Sequence, residues 1–96
     1  MHLAIPHKFT KTEATSRVSN ALEAARPQLA GKVELHEERW EGSTLHFDLT
    51  AEKHRISGTF AVEDSQFVLD AKLPLMLRLF EGRIEKELMA QIKQAM

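Results

Sequence analysis

The chain has no cysteine among its 96 residues. That excludes disulfides, thiolate metal sites and cysteine nucleophiles together, and it suits a reducing compartment. Nor is there an excess of either charge: 13 Lys and Arg against 14 Asp and Glu leave a formal charge of −1. The broad positive field that draws proteins to nucleic acid or anionic lipid is missing, so no nucleic-acid partner is expected. No apolar run approaches the roughly 20 residues of a membrane-spanning helix, so no transmembrane segment is expected. The start, MHLAIPHKFTK, lacks the basic and long apolar regions of a secretory signal. A single small cytoplasmic domain over residues 1–96 is the expectation, with 43% apolar residues to supply one core.

Catalytic patterns are also scarce. Ser16, Ser19, Ser43, Ser57 and Ser65 lack a nucleophile-elbow context, and the four glycines are too scattered for a phosphate loop. Of His2, His7, His36, His46 and His54, no pair has the helical i, i+4 spacing of a zinc protease motif. With Trp40 and Thr44 flanking a turn, His46 would face Glu38 and His36 would face Asp48. Exposed pairs of that kind are worth well under about 1 kcal/mol each. No metal, no cofactor and no enzymatic activity are expected.

What is present is a clear alternation of strand and helix patterns. Leu3, Ile5 and Phe9 share one face of an opening strand, and Pro6 marks it as an edge. TKTE forms a capping box with Thr10 as N-cap and Glu13 three residues on. The stripe Ala14, Val18, Ala21, Leu22, Ala25 and Leu29 then predicts a helix, bent by Pro27 near Arg26 and stopped at Gly31. In the middle, a tip at Glu52–Lys53 pairs Ala51 with His54, Leu49 with Ile56, Phe47 with Gly58 and Leu45 with Phe60. A second tip at Asp64–Ser65 pairs Val62 with Phe67, Phe60 with Leu69, Gly58 with Ala71 and Ile56 with Leu73. Both hairpins bury the same face, and a one-residue slip would break that agreement. The opposite face, with Thr44, His46, Asp48, Thr50, Arg55, Ser57, Thr59, Asp70 and Lys72, is polar and should be wet.

Two stretches do not alternate cleanly. In VELHEERW, Val33 and Leu35 point inward, yet the same phase sends Glu37 and Arg39 inward and Trp40 outward. Either a bulge at residues 37–39 reverses the phase, which is the preferred reading, or Trp40 is exposed beside the turn EGST. In the last helix, started by Pro74, the stripe Leu77, Phe80, Ile84, Leu88, Ile92 and Ala95 is assigned to the core. Leu75, Leu79 and Met89 are left on the other side. They belong either to a differently phased turn over 75–79, helped by Gly82, or to an exposed apolar strip that meets a partner.

Together these patterns predict an α+β two-layer sandwich in the order β-α-β-β-β-β-α. Its five-stranded antiparallel sheet, in spatial order 1-5-4-3-2, carries both helices on one face, a layout reminiscent of a reduced helix-grip fold. RWEGSTLHFDL, ISGTFAVED and LPLMLRLFEGRIEKEL, through Trp40, Gly42, Gly58, Pro74, Phe80, Gly82, Ile84 and Glu85, resemble the family of polyhydroxyalkanoic acid system proteins. The resemblance implies a cytoplasmic role in the formation, coating or turnover of polyhydroxyalkanoate storage granules, and it implies no reaction, since it carries over no catalytic residues. Two functions follow as expectations. The first is a non-catalytic protein that binds the granule surface or a granule protein through Leu75, Leu79 and Met89, with Trp40. The second is a small acyl- or lipid-binding domain with a cavity between sheet and C-terminal helix. Exposed strand edges and an apolar helix face also point to a homodimer.

Overall fold

The computed structural model of the chain describes residues 1–95, with the side chains described as far as Gln94. The elements follow the expected order up to the last helix: β1 (His2–Pro6), α1 (Lys11–Leu29), β2 (Val33–Glu41), β3 (Thr44–Ala51), β4 (His54–Val62) and β5 (Gln66–Lys72). Then come a single turn, α2 (Leu75–Arg78), and α3 (Glu81–Ala95). The strands form one antiparallel sheet in the order β1-β5-β4-β3-β2, with β1 and β2 as edges. This is an α+β fold with the predicted strand order. Its open sheet makes the helix-grip likeness a loose one.

The β3–β4–β5 meander has the predicted register. Ala51 pairs with His54, Phe47 with Gly58 and Leu45 with Phe60; Val62 pairs with Phe67 and Gly58 with Ala71. Glu52 and Lys53 at the first tip have φ of 50° and 71°, the left-handed pair that a two-residue hairpin needs. Pairing between β4 and β5 ends at Ser57 and Lys72, so Ile56 and Leu73 lie beyond it, although Leu73 is buried.

In β2 the register shifts between Leu35 and Glu37, so the bulge exists but sits at His36, earlier than expected. From there Glu38 lies opposite Phe47 and Trp40 opposite Leu45, which turns both toward the core face. Glu41 and Thr44 close the turn around Gly42, whose φ is +60°. The turn is therefore one residue shorter than in the Trp40–Thr44 reading, which shifts the β2 partners by one.

Helix α1 begins as predicted, with the Glu13 N–H donating to Thr10 Oγ1 at 3.1 Å. The return half of the capping box is replaced: the Glu13 carboxylate takes Arg17 instead, at 3.3 Å. Gly31, at φ +81°, ends the helical run. Along its length α1 moves away from the sheet. Ala14 is fully buried, Val18 and Leu22 are half-buried, and Leu29 is 44% exposed, which corrects its assignment to the core.

The core lies on one face of the sheet. Ile5, Ala14, Val62 and Phe67 form one cluster, and Leu3, Leu69 and Ala71 another. Val18 from α1, and Met89 with Ile92 from α3, pack against the first. His7 closes one end of the core. The backbone N–H of Phe9 donates to its Nδ1 at 3.1 Å, so Nε2 carries the proton and donates to the Glu63 carbonyl at 2.8 Å. The ring lies 4.6 Å from that of Phe67.

At Gly58 the neighbouring strand comes too close for a side chain. An added Cβ would run into the Asp70 carbonyl and lie 2.8 Å from Ala71 Cα, both backbone atoms of β5. Gly58→Ala is therefore expected to lower unfolding stability by about 2 kcal/mol or more, read from the urea midpoint. A midpoint equal to wild type would contradict this packing.

Candidate functional site

Pro74 ends β5 and starts α2, because its missing N–H costs nothing in a first helical turn. The N–H groups of Leu77 and Arg78 donate to the Pro74 carbonyl at 2.9 and 3.1 Å. The next bonds run from Phe80 N–H to the Leu77 carbonyl at 3.0 Å and from Ile84 N–H to the Phe80 carbonyl at 2.9 Å. The first spans three residues and the second four, so the helix tightens and breaks at Leu79–Phe80 before α3 starts. The single closing helix expected from the sequence is therefore two. Residues 75–79 do form their own turn, but Leu75 and Leu79 do not pack within the fold.

Leu75 is 76% exposed, Met76 67%, Leu79 79% and Phe80 54%. Four large apolar side chains are thus exposed within the six residues 75–80, two in α2 and two at the break that follows it. Exposed Arg78, Gly82 and Arg83 lie among and beside them in the sequence. Of the four residues expected at an interaction surface, Leu75 and Leu79 belong here and the other two do not. Met89 is half-buried and packs on both core clusters. Trp40 is half-buried against the first cluster, brought inward by the bulge at His36.

Met76 and Phe80 replace them. Phe80 and Met89 are nine residues apart, about 180° around a helix, on opposite flanks of the Ile84–Leu88–Ile92 stripe. Seating α3 on its Met89 flank leaves Phe80 in solvent, which corrects its assignment to the core. The expected burial of Ala95 lies outside the described side chains. Reading 75–80 as a separate turn, with Pro74 and Gly82 as its limits, was the signal that would have found Met76 and Phe80.

The titratable groups with shifted pKa values sit elsewhere, in exposed ion pairs. Arg55 bonds both carboxylate oxygens of Asp48, at 3.0 and 2.8 Å, which holds the Asp48 carboxyl below its usual range and raises Arg55. Arg39 is raised chiefly by its bond to Glu41, at 2.9 Å. Arg26 is raised first by Glu38 and then by Glu23, and the Arg26–Glu38 pair links α1 to β2. The expected cross-strand His–carboxylate pairs do not form: His46 lies opposite Arg39 and Asp48 opposite Glu37. His36 instead bonds the Thr50 hydroxyl at 2.7 Å. Among the described residues no three of His, Asp and Glu are gathered as metal ligands, and no helix is long and apolar enough to cross a membrane.

Where α1 diverges from the sheet, two apolar clefts open. One, of about 240 Å³, lies between α1, the sheet and Ile92 of α3, with the stem of Arg17 on its wall. The other, of about 280 Å³, lies under the end of α1 beside Leu29, Leu35 and the Arg26–Glu38 pair. Leu22 and Leu45 line both.

The different places of Leu79 and Met89 are separable by stability. Leu79→Glu should leave the urea midpoint close to that of wild type, while Met89→Glu should cost about 2 kcal/mol by placing a charge against the core. Equal losses would mean that both residues pack in the fold.

No curated protein and no solved structure matches the chain. A family model described as "Putative polyhydroxyalkanoic acid system protein" matches residues 1–96. With its whole length covered, the chain belongs to this family of polyhydroxyalkanoic acid system proteins.

Proposed function

We propose that the protein is a non-catalytic accessory factor of polyhydroxyalkanoate storage that docks on the hydrophobic granule surface through Leu75, Met76, Leu79 and Phe80. The observation that carries this reading is the exposure of all four side chains within residues 75–80. Burying an apolar side chain of this size yields about 1.5–3 kcal/mol. Four of them roughly offset an association cost of about 4–15 kcal/mol, so each copy attaches reversibly.

The non-catalytic part goes with the exposed ion pairs that hold the shifted titratable groups, Arg39–Glu41, Asp48–Arg55 and Arg26–Glu38, the last of them on the wall of the second cleft. A cytoplasmic location goes with this reading. Away from a granule, the same four side chains are the proposed contact for a second copy of the chain, as a two-fold dimer.

Co-sedimentation with purified polyhydroxyalkanoate granules tests the reading. Wild type should pellet with the granules. The Leu75→Glu plus Leu79→Glu variant, with an unchanged circular dichroism spectrum, should stay in the supernatant. Wild type in the supernatant, or a variant that pellets equally, would overturn granule docking. Sedimentation velocity of the two proteins without granules reads the dimer separately, and a wild-type monomer at high concentration would reject it.

A further inference from the structure

The cleft between α1 and α3 lies apart from the α2 patch, and nothing in the granule-docking reading uses it. Ala14 is fully buried at the start of α1, while further along Ala21 is half-buried and leaves space that a larger side chain would fill. Phe60 and Phe67, with ring centroids 5.6 Å apart, contribute the sheet side of that space. Val18 and Leu22 stand on one side and Ile92 on the other. Among the described walls only Arg17 is a charged residue, and it lines the cleft with its methylene stem. Its guanidinium rests 4.2 Å from the centre of the Phe9 ring. Its Nε and Nη2 each donate to one oxygen of Glu13, at 3.3 Å, and its remaining N–H groups are available.

We infer that this cleft binds a single-chain amphiphile, an aliphatic carboxylate whose tail lies between the helices and whose head meets Arg17. Size sets the tail: a cavity of about 150 Å³ holds one benzene, so this one suits a chain of about eight to ten carbons. The apolar walls hold no polar group that a hydrocarbon would leave unpaired, and a planar carboxylate matches the guanidinium fork. Arg17 is partly solvated, so it orients the chain more than it holds it.

Isothermal titration of the whole chain with sodium decanoate, below its micelle concentration, tests this. Saturable one-to-one binding is expected. Ala21→Phe, which fills the cleft, should weaken it by about ten-fold or more, equivalent to about 1.4 kcal/mol. Arg17→Gln should weaken decanoate by about two- to five-fold and leave decanol unchanged. Leu79→Glu should bind as wild type does, which separates the cleft from adsorption on α2. In wild type, decanoate should shift the methyl resonances of Val18 and Ile92, a readout that does not depend on any variant folding. Absence of saturable binding to wild type, shifts confined to α2, or a folded Ala21→Phe variant that binds as tightly as wild type would each overturn the proposal.

Discussion

Strand β4 is paired on both sides, and its register controls everything built around it. Leu45 and Leu49 of β3 meet Phe60 and Ile56 across one ladder, and Phe67 and Leu69 of β5 meet Val62 and Phe60 across the other. Both ladders must put their apolar residues on the same side, because a shift of one residue would move a whole strand's set into water. Gly58 adds a steric lock, with the β5 backbone occupying the place of a side chain. Once this meander is set, β1 can pair only along β5 and β2 only along β3, and the helices have one face to cover.

The helices cover that face incompletely. Helix α1 is close to the sheet at Ala14 and away from it at Leu29, while α3 reaches the core through Met89 and Ile92. The result is an apolar cleft with Arg17 on its wall, and a second beside the Arg26–Glu38 pair. Incomplete cover thus leaves two apolar clefts, and Leu75, Met76, Leu79 and Phe80 form a further exposed apolar patch at the start of the closing helices.

Much of the fold was legible because alternation with period two has few solutions when two hairpins share a strand. The β3–β4 and β4–β5 registers, the Thr10 cap and the Gly31 stop all depend on contacts close in sequence or on backbone preferences of single residues. The site was less legible. Leu75 and Leu79 stood out as surplus to any stripe, but Met89 and Phe80 exchanged roles. A helical projection shows only which residues are opposite one another. It does not show which flank meets the sheet, and the break at Leu79–Phe80 removed the phase that would have linked the two halves.

The order of local patterns thus determined by itself that the chain forms a meander of β2 to β5, an opening strand with an edge proline, a capped first helix and a last helix with apolar residues to spare. Those outcomes follow from hydrophobic period, turn chemistry and steric limits at single positions. Only the tertiary structure decided that the bulge falls at His36, turning Trp40 and Glu38 inward, and that α3 rests on Met89 with Phe80 outside. It also decided that α1 diverges far enough to open a cleft. These depend on how far apart and at what rotation whole elements settle, a balance of packing among residues distant in the chain.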